Sequence, residues 1–138
     1  QIAVQIIPYL VAMMTAISIF RASGGLDYIC SAIAFLLDYL GINTDFIPAL
    51  PTALMKPLSG SGARAMMLDT FSSYGVDSFA GFAASIVQGS TETTFYVLAV
   101  YFGAVKISKT GAALPLALLA DAAGLVSAFL LAYLFYQG

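Results

Sequence analysis

One carboxylate, Glu92, lies inside the polar cluster Gln88-Gly89-Ser90-Thr91-Glu92-Thr93-Thr94, which has uncharged, mostly apolar residues on both sides. A carboxylate in the middle of a membrane segment costs roughly 2.5–3.5 kcal/mol to insert, and such residues usually face a partner, a cavity or a transport path. The cluster offers amide, hydroxyl and carboxylate groups in succession, which suits the binding of a small polar solute. The binding candidates are Gln88, Ser90, Thr91, Glu92 and Thr93.

A second polar cluster, Ser59-Gly60-Ser61-Gly62, is typical of a glycine-rich turn that leads into a short helix from Ala63. The first N–H groups of a helix carry partial positive charge and can face an anion, and Arg64 adds a full charge. The alternative is that the glycines let two helices cross closely while Arg64 pairs with Glu92 or Asp69. The cluster lacks the Lys-Ser/Thr ending of a phosphate-binding loop. Its binding candidates are Ser59, Gly60, Ser61, Gly62 and Arg64.

A third feature is Asp121, which lies in the last apolar stretch on a stripe of small residues, Ala117, Asp121, Gly124 and Ala128. Helical spacing puts these positions on one face, so the carboxylate is predicted to point at protein. It could act as a protonated donor, as a cation ligand or as the partner of Lys56 or Arg64, and structural pairing is favoured. Asp121, Lys56 and Asp69 are thus predicted as buried, pairing charges.

The composition requires lipid as a solvent for part of the chain. Of the 138 residues, 61% are hydrophobic and 9% are charged, and the mean hydropathy is +0.96; soluble domains carry about 25% charged residues. The net charge is −2 and no basic cluster exists, so nucleic acid is not an expected partner. With no His and one Cys, neither a zinc cluster nor a Ser-His or Cys-His catalytic pair can form within the chain. No catalytic residue, metal or cofactor is predicted.

Apolar runs predict an all-α, polytopic membrane protein with about four membrane segments. Two of these runs are long enough to span hydrocarbon, residues 2–20, which Arg21 follows, and residues 110–136. Residues 28–40 and 46–55 are too short for a full span and suit re-entrant or buried half-helices.

Two breaks are predicted within these segments. Pro48, Pro51 and Pro57 precede the glycine-rich cluster, so a broken helix is expected there. Residues 78–105 exceed the length that a bilayer core needs, and a break or local unwinding is expected at residues 88–90. Non-helical backbone survives at membrane depth only where protein buries it or water lines it. The breaks are therefore predicted to form a polar centre.

Several motifs resemble the spore maturation protein B family, within the nucleoside-recognition or gate-domain group. They are Ile7-Pro8-Tyr9-Leu10, Ile19-Phe20-Arg21-Ala22-Ser23-Gly24, Lys56-Pro57-Leu58-Ser59-Gly60-Ser61-Gly62-Ala63, the stretch from Gln88 to Gly103, and Leu118-Leu119-Ala120-Asp121. The resemblance covers nearly the whole chain and implies a single gate-like membrane domain over residues 1–138. The family has a further membrane segment ahead of this start, so a fragment, a different start or the second half of a fusion is expected.

The resemblance implies a multi-pass protein of the cell inner (cytoplasmic) membrane that acts with a companion, spore maturation protein A, in spore core dehydration. Two hypotheses follow. The chain is either a subunit that moves or binds a small polar solute, nucleoside-like or ionic, through a midplane site, or a non-transporting scaffold. A chain this short is too small to enclose a pathway alone, so a homo-oligomer or a complex with the companion is expected. An intramembrane enzyme is disfavoured.

Overall fold

The structure, a computed structural model, describes residues 7–8, 11–12, 15–16, 19, 22–41 and 43–136. The first predicted span, residues 2–20, and its end at Arg21 therefore lie largely outside the described residues. Within the described part of the chain, all regular structure is helical, which confirms the all-α fold class.

Six α-helices follow one another between Gly25 and Phe135. They are α1 (Gly25–Tyr39), α2 (Leu50–Met55, entered through the 3₁₀ turn Ile47–Ala49), α3 (Gly60–Tyr74), α4 (Phe79–Ser90), α5 (Thr94–Val97, continued by the π-helical turn Leu98–Phe102) and α6 (Ala113–Phe135). The two predicted short apolar runs thus form α1 and the 3₁₀–α2 segment, and the last predicted span forms α6.

Serine caps set the starts of α3 and α4. Ser59 Oγ accepts the N–H of Gly62 at 3.1 Å, and Ser78 Oγ accepts the N–H of Gly81 at 3.0 Å. Each bond satisfies a backbone donor that the helix itself cannot pair. The glycine-rich cluster is therefore the first turn of α3, and the expectation that the helix starts at Ala63 was three residues late. At the other end, Gly75 stops α3 with φ +91°, a conformation that side chains rarely adopt.

The core is built around the short helix α2 and is rich in small side chains. Met55 and Thr52 are fully buried on α2. Around them lie buried alanines and a valine of the 3₁₀–α2 segment, α4 and α6, namely Ala49, Ala53, Ala83, Ala84, Val87, Ala128 and Ala132. Small residues allow helix backbones to approach closely, as membrane helices do. This close packing places Ala53 of α2, Val87 of α4 and Ala128 of α6 in one cluster.

One helix of the described chain, α6, is long and apolar enough to cross a membrane, with a mean hydropathy of 2.0 over 23 residues. Only 11% of its most apolar window is buried, which leaves most of that surface for contact with surroundings. Helices α1 and α3 have 15 residues each and α4 has 12, about 18 Å, so none of these alone covers a core of about 30 Å. The count of about four membrane segments stays a prediction.

Candidate functional site

Two interruptions of the helices meet in space. The first, residues 56–59, separates α2 from α3, and the second, residues 91–93, separates α4 from α5. The break expected at residues 88–90 lies three residues later, because α4 continues through Ser90. We refer to them as the 56–59 break and the 91–93 break.

Three hydrogen bonds tie the two breaks together. Lys56 Nζ donates to the Gln88 carbonyl oxygen at 2.7 Å, and Gln88 Nε2 donates to the Gly60 carbonyl oxygen at 3.4 Å. The Phe95 N–H donates to the Pro57 carbonyl oxygen at 3.0 Å. A Cβ on Gly60 would lie only 3.1 Å from Thr93 Oγ1, so the absence of a side chain permits the approach. The two breaks and the adjoining residues Gln88, Gly60 and Phe95 therefore form one unit, which we call the junction.

Lys56 supplies a buried positive charge at the junction. It is 8% exposed, and its ammonium binds one of the last carbonyls of α4. These carbonyls lack partners within the helix and carry the negative end of its dipole, so a cation there is favourable. The predicted pairing of Lys56 with Asp121 does not occur, since the ammonium uses a backbone oxygen instead.

Asp121 connects α6 to the second break. It is 7% exposed, and Thr94 Oγ1 donates to its Oδ2 at 2.5 Å. Gly124, one turn later, lies so close to the break that a Cβ there would be 2.6 Å from Thr91 Cγ2. The small-residue stripe of α6 thus packs on the 91–93 break, and the prediction that Asp121 points at protein is confirmed.

The Thr94–Asp121 bond should be measurable as a coupling energy. We expect Thr94→Val and Asp121→Leu each to lower the free energy of unfolding, because each leaves the other polar group buried without its partner. The double variant should lose less than the sum of the two, by about 0.5–2 kcal/mol. Denaturation by sodium dodecyl sulfate in mixed micelles gives the free energies. Strictly additive losses would mean that the bond contributes nothing.

Three buried polar atoms lack a partner in the described part of the chain: Gln88 Oε1, Thr91 Oγ1 and Thr52 Oγ1. Leaving such an atom unpaired costs about 1–3 kcal/mol, so most native structures avoid it. Gln88 and Thr91 belong to the junction, on either side of the end of α4. Their acceptor and hydroxyl are thus the unpaired hydrogen-bonding groups of the junction.

The predicted charged residues outside this core lie on the surface of the chain. Glu92 is exposed, and its Oε2 accepts only the N–H of Thr93, at 3.4 Å, among described groups. Arg64 and Asp69 are exposed as well. Helix α3 buries its face at Ala63, Met66 and Thr70, and neither charge falls on that face. Asp69 is therefore not a buried charge, and no ion pair joins Arg64 to Glu92 or Asp69 within the described residues.

The remaining candidates serve mainly the backbone. Ser59 is buried as the cap of α3, Ser61 Oγ lies 3.2 Å from Ser59 Oγ, and the Ser90 hydroxyl donates to the Val87 carbonyl oxygen at 2.9 Å. Thr94 and Pro57 were not among the sequence candidates, although both hold the junction. Thr94 ends the predicted polar cluster and Pro57 lies in the predicted break, but the sequence does not show the bonds that they form, because the partners lie 27 positions away for Thr94 and 38 for Pro57.

Comparison with known proteins finds one matching family and one similar protein. Residues 3–108 match the family described as nucleoside recognition, or Gate. The chain is 47% identical over 136 residues to Spore maturation protein B of Bacillus subtilis (strain 168), and the alignment covers 99% of this chain and 75% of that protein. No solved structure matches the chain significantly.

Proposed function

This chain belongs to the nucleoside-recognition Gate family of membrane proteins, and we propose that it is a multi-pass inner-membrane subunit that binds and moves a small polar solute at the junction. A subunit of this kind needs non-helical backbone held inside protein at membrane depth, because lipid offers N–H and C=O groups no partners. The cross-tied 56–59 and 91–93 breaks support that role.

The observation that carries the proposal is the pair of unpaired polar atoms at the junction, Gln88 Oε1 and Thr91 Oγ1. Gln88 Oε1 accepts a hydrogen bond, and the Thr91 hydroxyl can donate or accept one. Together they match a neutral solute that carries both hydrogen-bond donors and acceptors. The family description points to a nucleoside, and an ion is the alternative. Lys56 beside Gln88 favours a neutral or electron-rich solute over a cation at this position.

Thr91→Val tests the proposal. Valine has nearly the shape of threonine, and the lost hydroxyl has no partner among the described residues, so the fold should be unaffected or slightly more stable. If the hydroxyl binds solute, uptake should fall by about two- to tenfold, the worth of one hydrogen bond. The measurement is uptake of radiolabelled uridine and adenosine into liposomes that contain the purified chain.

Ser127→Ala is the matched control, because it removes an exposed hydroxyl on α6 that bonds only to the carbonyl oxygen of Ala123. It should leave uptake unchanged. Equal uptake by wild type and Thr91→Val would remove the junction from the transport path.

A scaffold without transport is the second candidate, and the exposed position of Glu92 favours it, since that carboxylate is available to another subunit. In this role the chain would act with spore maturation protein A in spore core dehydration, as the likeness to Spore maturation protein B suggests. Glu92→Gln would then weaken assembly without any solute-dependent change. Native mass spectrometry in mild detergent, with and without the companion, separates the two and reports whether the chain forms a homo-oligomer.

A further inference from the structure

A cavity of about 430 Å³ lies between α1, the 3₁₀–α2 segment and α3, and none of its lining residues belongs to the junction. We propose that this cavity binds a small organic ammonium ion. Its volume falls within the range of about 300–1,000 Å³ that ligand pockets occupy. The proposal does not depend on the transport role of the junction.

The charge of the lining selects a cation. Asp27 and Asp69 both line the cavity, and no lysine or arginine does. Neither carboxylate forms an ion pair with another described residue, so neither charge is compensated within that part of the chain. Two uncompensated carboxylates at one cavity attract positive charge.

The other walls distinguish an organic cation from a metal ion. Pro48 and Met66 give apolar surface, and Tyr74 provides an aromatic face of the kind on which ammonium groups bind. Within the described chain, no three His, Cys, Asp or Glu side chains are grouped closely enough to hold a metal. An ammonium group with a short carbon body satisfies both the acidic and the apolar parts of the lining.

Cys30 reports on the interior of the cavity. It lines the cavity although the residue is only 9% exposed, and its thiol has no disulfide partner in the described structure. A reagent that enters the cavity can therefore reach this residue. Because it is the one cysteine in the sequence, its modification reports on this cavity alone.

Charge-selective labelling of Cys30 tests the proposal with the full chain in detergent micelles. Two methanethiosulfonate reagents of similar size are compared, one with a trimethylammonium group and one with a sulfonate. The rate with the cationic reagent is divided by the rate with the anionic reagent, for Cys30 and for the free thiol 2-mercaptoethanol. The ratio for Cys30 should exceed the ratio for 2-mercaptoethanol by about tenfold or more, because two carboxylates lie nearby. Asp27→Asn and Asp69→Asn should each lower that ratio several-fold.

Choline and putrescine serve as the ligand probes. At millimolar concentration each should slow the reaction of Cys30 with the neutral reagent N-ethylmaleimide by at least twofold, whereas acetate should not. Asp38→Asn is the matched control, because Asp38 is an exposed acid on the same helix that does not line the cavity. Cys30→Ala sets the background.

Three results would overturn the proposal. They are a corrected rate ratio near one, a ratio that neither aspartate variant alters, and labelling that neither ammonium probe slows. A folded protein whose Cys30 reacts with no reagent, but does so after unfolding, would likewise show that the cavity admits no ligand.

Discussion

Gly81→Ala should lower the free energy of unfolding by about 1–3 kcal/mol, the usual cost of forcing extra volume into a packed site. Gly81 lies in the first turn of α4, and a Cβ there would meet the carbonyl oxygen of Gly75 at 2.4 Å and that of Val76 at 2.7 Å. Both are backbone atoms, so no side-chain rotation relieves the contact. The turn that joins α3 to α4 would have to move away from the helix.

Gly89→Ala is the matched variant in the same helix. A Cβ at Gly89 meets nothing within 4 Å, so only the better helix propensity of alanine acts there. We expect a gain of about 0.4–1 kcal/mol. Thermal unfolding in detergent should therefore place the two variants on opposite sides of the wild type. Two variants with equal melting temperatures would show that the Gly75–Val76 turn yields without cost.

The approximate positions of the two breaks could be predicted, because only a few residue types interrupt a helix. Proline removes a backbone donor and glycine weakens a helix, and both are grouped ahead of α3, while Gly89, Ser90 and three hydroxyl residues mark the end of α4. The stripe that includes Asp121 was predictable for a different reason, since helical spacing alone decides which residues share its face. Both results come from local chemistry.

The partners of the buried charges were not predictable. Lys56 was expected to pair with a carboxylate, yet it binds a backbone carbonyl 32 positions away. Every residue offers such a carbonyl, so the sequence contains no mark of the one that is used. Glu92 was expected to face a partner, a cavity or a transport path because apolar residues flank it, and its side chain is exposed in the described structure. The direction of this side chain depends on the dihedral angles of the non-helical residues 91–93, which the sequence does not specify.

The contact between α6 and the 91–93 break should control both stability and uptake. Gly124→Ala puts a methyl group 2.6 Å from Thr91 Cγ2, and threonine has little freedom to move because it branches at Cβ. We expect a loss of about 1–3 kcal/mol in the free energy of unfolding. Uridine uptake should fall at least as far as in Thr91→Val, since the same hydroxyl is displaced.

Thr91→Ser offers a specific rescue, because it deletes the one methyl group that the new Cβ would strike while it keeps the hydroxyl. The double variant Gly124→Ala/Thr91→Ser should regain most of the lost stability and uptake. Ala123→Val, on an exposed face of α6, controls for added volume and should change little. If Thr91→Ser does not restore the stability and uptake of Gly124→Ala, the loss arises elsewhere on α6. A full rescue would mean that close packing of one glycine against one threonine holds the second break in its binding geometry.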